Sequence, residues 1–395
     1  MEKQPPWNRI PTPAGSQGPT IDRRSLLNVS MATVIGGAAA AMTGPGIPTQ
    51  ALAQTARASS GSVTRIDAHT HFTPLRYLDA AERQEGRPFV LSEFYRQISP
   101  LYDAKERLNL LDHNEIGIHI LVPLPWIEAF PKIAHDRRLA AETARLVNDE
   151  IATIVAAEPK RFRGVAALPS VDPEAMVSEL HRAIKELGFV GAYVPVGPTV
   201  KRMDHPDYEA LYKTIVELDA TLWLHPSRPP LPDYVNERDS QFLVWQTIGW
   251  PLDTTTAMHR IVFSGVFDRH PGIRIVTHHH GGFVPYYAPR MVGGWAAFEK
   301  GGAPMPTTIS KPYIDHFKKF YCDTACDEFV PKVLEMALDF FGPERVLFGS
   351  DAPFGVANGQ HFTTEVLRSI ESMAVPDHVR DGLLSGNAKR VLKIS

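Results

Sequence analysis

Ile66-Asp67-Ala68-His69-Thr70-His71-Phe72 closes a short run, Val63-Thr64-Arg65-Ile66, whose β-branched residues read as a strand. Side chains alternate along a strand, so His69 and His71 point to the same side. Two neutral imidazoles side by side can grip one divalent metal ion. The bland reading, two polar residues at a strand end with ordinary hydrogen bonds, loses ground as histidines and a carboxylate accumulate at other strand ends downstream.

Working outward from that stretch, apolar strands alternate with amphipathic helices. Residues 75–93 read as a partly helical insertion and Asp103 to Asn114 as a helix. Further strands follow at Ile118–Pro123, Gly164–Leu168, Val190–Val196, Thr221–His225, Ile273–Thr277, Phe320–Asp323 and Arg345–Gly349. Leu139, Thr143, Leu146, Val147, Ile151, Ile154 and Val155 share one helical face, the clearest helix in the chain. Further helices are expected over Pro173–Leu187, Tyr208–Leu218, Thr254–Phe263, 329–341 and Phe362–Leu392, and a proline-rich loop from Pro226 to Asp239. Eight buried strands with helices between them imply a parallel sheet covered on both faces, and the count points to a (β/α)8 TIM barrel. An open doubly wound sheet is the runner-up, but no glycine-rich phosphate loop follows the first strand.

In a barrel, chemistry sits at the carboxyl ends of the strands. There the sequence places His69 and His71 on the first strand, His225 on the fifth, His278-His279-His280-Gly281-Gly282 on the sixth and Ser350-Asp351-Ala352-Pro353 on the eighth. Three imidazoles and a carboxylate suit zinc, and manganese is possible because carboxylate and water ligands also suit it.

On these motifs, with Leu224-His225-Pro226, His279 through Pro285 and Leu347-Phe348-Gly349-Ser350-Asp351-Ala352-Pro353-Phe354, the chain resembles the amidohydrolase superfamily. Within it the likeness is to the branch of aminocarboxymuconate-semialdehyde decarboxylase and resorcylate-type decarboxylases, and it runs from Arg65 to Val391. The resemblance implies metal ligation by His69, His71, His225 and Asp351. It implies a proton-carrying role for Asp351 and, for His279, a place beside the water on the metal. His279 is chosen because Pro285 lies six residues after it, as in the family. Strand alternation would turn His278 and His280 to the opposite face.

Three residues are candidates for contact with substrate. Arg228, three residues past His225, can pair with a carboxylate. Trp126 follows the second strand and Phe72 follows the metal pair, so either can wall an aromatic pocket. Asp323, at the end of the seventh strand, reads as a structural hydrogen-bonder.

The rest of the chain bounds the setting. Of 395 residues, 44% are hydrophobic and 22% charged, enough for one large core, and the formal net charge of -3 gives no reason to expect nucleic acid as a partner. Two cysteines, Cys322 and Cys326, are too few for a disulfide framework and read as free thiols. Residues 1–53 look like an address label: Arg23-Arg24, a weakly apolar run from Met31 to Met42, then Ala51-Leu52-Ala53 before Gln54. This pattern resembles a twin-arginine export signal, with 54–62 as a disordered linker and 63–395 as the barrel. The expectation is a periplasmic or exported protein, soluble after cleavage, with no membrane span in the mature form.

The sequence thus leads to a metal-dependent enzyme, with a non-oxidative decarboxylase of a small aromatic or unsaturated carboxylic acid as the first reading. A hydrolase of a lactone, amide or imine bond, or a hydratase, uses the same ligand set. The expected partner is a small-molecule carboxylate or lactone substrate, and the family precedent is a homodimer.

Overall fold

The computed structural model describes residues 64–304, 309–325 and 330–394. The segments assigned to the export signal and linker, and Cys326, lie outside the described residues. Eight strands form one parallel sheet in chain order: β1 Arg65–Phe72, β2 Ile116–Pro123, β3 Phe162–Ala166, β4 Gly191–Val196, β5 Thr221–Pro226, β6 Arg274–Thr277, β7 Tyr321–Asp323 and β8 Val346–Leu347. The ring closes just beyond β8. Ala68 N donates to Phe348 O at 2.8 Å, Asp351 N to His69 O at 2.9 Å, and His71 N to Ala352 O at 2.8 Å. This is the expected (β/α)8 TIM barrel.

The principal helices between and after the strands are α1 Leu75–Glu85, α2 Ala104–His113, α3 Arg137–Ala157, α4 Pro173–Lys185, α5 Glu209–Glu217, α6 Gly249–Phe263, α7 Val284–Lys300, α8 Pro331–Phe341, α9 Gln360–Ser372 and α10 Asn387–Leu392. Thr143, Val147 and Ile151 of α3 are buried, as their spacing requires, and half-buried Leu139, Ile154 and Val155 pack along the same face. Three helices start on an aspartate that accepts backbone N–H groups: Asp103 before α2, Asp136 before α3 and Asp172 before α4. Each such cap stabilises its helix by about 1 kcal/mol.

Several boundaries differ from the sequence reading, among them the tail read as one helix over Phe362–Leu392, which is divided between Gln360–Ser372 and Asn387–Leu392. Helix α6 begins five residues earlier than expected, at Gly249, because Pro251 falls in its first turn, where no backbone N–H is needed. Strand β8 is only two residues long, and beyond it the chain bends to meet β1. No described helix is long and apolar enough to cross a membrane.

Candidate metal centre

The site begins with Asp67, fully buried one pleat before His69. Its carboxylate accepts from His69 N at 3.2 Å, Ser350 N at 3.1 Å and Ser350 Oγ at 2.5 Å. Asp67 therefore fastens β1 to the segment that follows β8. Burial pushes its carboxyl up to about 7, against the pull of those hydrogen bonds. On the other side of the junction, Asp351 sits at φ 61°, a left-handed conformation that a non-glycine residue adopts only when its surroundings hold it there.

This junction brings four donor side chains together. His69 Nε2 and His71 Nε2 are 3.1 Å apart. Asp351 Oδ1 lies 3.0 Å from His71 Nε2 and 3.4 Å from His69 Nε2. The His225 ring is centred 5.4 Å from that of His69 and 5.0 Å from that of His71. One ligand atom from each of His69, His71, His225 and Asp351 lies within 4.8 Å of all the others.

The outer nitrogens of two of the imidazoles face acceptors, which leaves their Nε2 available. His225 Nδ1 donates to the Pro226 carbonyl at 2.6 Å, and His69 Nδ1 lies 3.2 Å from Asp323 Oδ2. Such outer partners fix a ligand's tautomer and ring orientation. Burial pushes Asp323 up, but His69 and His278 outweigh it and hold the carboxyl well below its usual range. Burial likewise opposes ionisation of Asp351, yet His71, 3.0 Å away, and the other neighbouring imidazoles bring it down to about 2. Burial lowers His71, and it lowers His225 further with the help of the surrounding rings. The result is an ionised carboxylate facing two imidazoles held toward neutrality, His71 and His225, whereas for His69 the pull of burial is outweighed by Asp323 and its pKa is raised. Asp351 Oδ1 is buried and, despite two nitrogens within 3.4 Å, has no hydrogen-bond partner among the described residues. Two imidazole nitrogens and an unpartnered carboxylate oxygen crowded this closely fit a divalent cation between them.

Behind the site lies a residue the sequence reading passed over. Arg107 of α2 is fully buried. It donates to the carbonyls of His71, of Pro100 at 2.8 Å and of Ala352 at 3.3 Å, so it grips both strand ends that carry the candidate ligands. It also lies 3.3 Å from His119 Nδ1, whose Nε2 stands 3.8 Å from Asp67 Oδ2. His119 is fully buried in the core.

The other candidates fare differently. Trp126 is nearly buried and lines the site, its ring 4.7 Å from His225 and 5.9 Å from His71. Phe72 does not wall the site. The alternation that turns His69 and His71 inward turns Phe72 away, and it packs under Arg107, whose guanidinium carbon is 5.7 Å from the ring centroid. The phenylalanine beside the donors is Phe354, 5.6 Å from His71. Arg228 is already engaged by Asp253 in a bidentate pair of 3.0 and 2.7 Å. Its guanidinium is therefore a partly neutralised group at the rim, not an open cation.

The triple histidine departs most from expectation. His279 stands near the donors, its ring 5.5 Å from His69 and 5.8 Å from His225. His278 does not face away. Its ring stacks on His69 at 3.6 Å, and its Nδ1 is hydrogen-bonded to Asp323. Alternation fails because β6 ends at Thr277 and His279 and His280 take φ 55° and 56°. The Gly281-Gly282 pair, both at positive φ, is the signal of this early turn. His280 is buried in the turn itself.

A family model described as amidohydrolase matches residues 128–394. Gamma-resorcylate decarboxylase of Rhizobium sp. is 33% identical over 325 residues, covering 79% of this chain and 94% of its own. The 2-amino-3-carboxymuconate-6-semialdehyde decarboxylase of Dictyostelium discoideum is 26% identical, covering 83% of this chain and 91% of its own. A solved dihydroxybenzoic acid decarboxylase from Polaromonas sp. JS666, with bound manganese and the inhibitor 2-nitroresorcinol, superposes with a TM-score of 0.67 at 28% identity. It covers 84% of this chain and 97% of that one.

Proposed function

The chain belongs to the amidohydrolase family, and on that footing we propose that it is a metal-dependent, non-oxidative decarboxylase of a small hydroxylated aromatic carboxylic acid. The observation that carries this reading is the convergence of His69, His71, His225 and Asp351 at one barrel mouth. The cation these residues would hold supplies positive charge for the substrate's oxygens and for negative charge that develops during the reaction. The donor set suits zinc, and the Polaromonas relative holds manganese.

The chain's own residues do the rest. Trp126 and Phe354 offer aromatic walls that orient a planar ring and exclude water. Asp351, ionised at rest, takes a proton from the incoming acid and returns it to the ring carbon. The carbon–carboxylate bond breaks, its electron pair stays on the ring carbon, and carbon dioxide leaves. His279, beside the donors, is the hydrogen-bond partner that steadies this exchange. Arg228, paired with Asp253, serves the substrate carboxylate only through its remaining N–H groups. Lactone or amide hydrolysis is the weaker reading, because relatives at a third identity are decarboxylases.

The test is metal analysis of the purified protein followed by incubation with hydroxybenzoates. Release of carbon dioxide in step with loss of the acid supports the reading. Turnover of a lactone with no carbon dioxide from any acid sinks it.

Export and assembly are part of the same proposal. Arg23-Arg24, the run to Met42 and Ala51-Leu52-Ala53 support a cleaved twin-arginine signal. Amino-terminal sequencing of the mature protein should begin at Gln54. A homodimer accords with the exposed apolar side chains of Val235, Phe242, Tyr286 and Phe298.

A further inference from the structure

His278 is fully buried, and its Nε2 has no hydrogen-bond partner among the described residues. A polar atom buried without a partner is costly, so it calls for an explanation. The packing tells where this nitrogen faces. His69 and His278 stack with their centroids 3.6 Å apart and their planes only 25° apart. Both direct Nδ1 at the same oxygen, Oδ2 of Asp323. The far edge of each ring therefore points away from Asp323. For His69 that edge carries the Nε2 that meets His71 and Asp351. For His278 it lies alongside, with the His225 ring 4.8 Å away.

Asp323 also fixes what this nitrogen can do. It is fully buried and accepts as well from the backbone N–H of His279 and Ala325, both at 3.1 Å. A carboxylate surrounded by donors holds the proton of His278 on Nδ1, which leaves a lone pair on Nε2. An acceptor beside the donor cluster needs an O–H or N–H to meet it.

We propose that His278 Nε2 accepts a hydrogen bond from a hydroxyl of the substrate held at the four-donor cluster, with Asp323 as its anchor. This rests on the function proposed above and adds a specificity-determining residue to it. A site built to bond a hydroxyl discriminates against the analogue that lacks it, because the buried acceptor is then left unpaired. His278 thus makes the site selective for hydroxylated aromatic acids over plain ones.

The experiment is calorimetric binding of 2,6-dihydroxybenzoate and of benzoate to the metal-loaded protein, alongside metal content and the electron paramagnetic resonance spectrum of the manganese form. His278→Phe keeps a ring against His69 and removes the acceptor. It should weaken 2,6-dihydroxybenzoate about tenfold, leave benzoate within about twofold, and change neither metal content nor spectrum. His278→Gln restores an acceptor and should recover most of the loss. Equal effects on both acids, no effect on either, or no recovery in H278Q overturns the assignment. Loss of metal in H278F also overturns it, because Nε2 would then be a ligand of the ion. If H278F does not fold, H278N, too short to reach the hydroxyl, is judged by the same criteria. A wild type that binds neither acid removes the proposed function, and this role with it, whereas wild-type binding that H278F leaves intact removes this role alone.

Discussion

The guanidinium of Arg107 donates a hydrogen bond to the carbonyl oxygen of His71, from a position with no access to solvent. Arg107 also donates to Ala352 O, next to Asp351, so a single side chain ties together the backbones of two candidate ligands from opposite ends of the sequence. Replacing it with methionine keeps the bulk and takes the Arg107 donor from the carbonyls of His71 and Pro100, while Ala352 O keeps the backbone N–H of His71. An unpaired buried acceptor costs about 1–3 kcal/mol, so with two of them Arg107→Met should lose about 2 kcal/mol or more in denaturant unfolding. It should also bind metal more weakly. An R107M protein with wild-type stability and wild-type metal affinity would show that the clamp does nothing.

Asp351 is assigned to move a proton as well as to touch the cation. Asp351→Asn keeps the shape and one oxygen while removing the basic oxygen that takes up and returns the proton. Metal content, read by mass spectrometry, should stay close to wild type. Carbon dioxide release should fall by about 10²–10⁴-fold. Unchanged turnover in D351N would strip Asp351 of the proton role.

The double change His69→Ala and His71→Ala should abolish metal retention through dialysis, because the two nitrogens 3.1 Å apart form the centre of the donor set. Full occupancy in that variant would place the ion elsewhere.

Metal binding should also register as stability. A ligand bound only by the folded state at about a thousand times its dissociation constant adds about 4 kcal/mol. Chelation should therefore lower the unfolding temperature, and one equivalent of zinc or manganese should restore it. A melting curve indifferent to chelator and metal would refute a site formed by folding.

His119 gives a prediction in pH. Burial, then the charges of Arg107 and Arg161, hold its pKa well below the ordinary value of 6.5. The unfolded chain takes up a proton near pH 6.5, whereas the folded one does not. The stability linked to this residue is present above pH 6.5 and is lost as pH falls. The loss for one such group is about 1.4 kcal/mol per pH unit. His119→Gln keeps an acceptor for Arg107 and should flatten the fall between about pH 6.5 and 5 by that slope. Identical slopes in H119Q and wild type would rule out a neutral buried His119.

Much of this was legible in the sequence because it depends on periodicity. Strand alternation placed His69 and His71 together, helical spacing found α3, and the strand-end rule gathered His225 and Asp351 from far along the chain. What stayed hidden depends on where regular structure stops. His278 looked outward only while β6 was taken to continue past Thr277. Phe72 looked like a wall only by adjacency, and alternation applied one residue further would have turned it outward. Arg107 carries no local signature: an arginine on an amphipathic helix reads as solvated, and only the assembled barrel shows the three carbonyls that absorb its donors. Arg228 failed as an open cation because its partner, Asp253, lies 25 residues on.

Closure of the barrel sets an order of events. Asp67 and Ser350, whose side chains fasten the two ends, stand 283 positions apart. No ribosome-bound fragment that lacks the last strand owns a complete cage, however well its early strands have paired. Capture of the ion therefore falls at the finish of synthesis and certifies that the ring has shut. A chain cut short before Asp351 leaves the tunnel with three of the four donors and no way to complete the set.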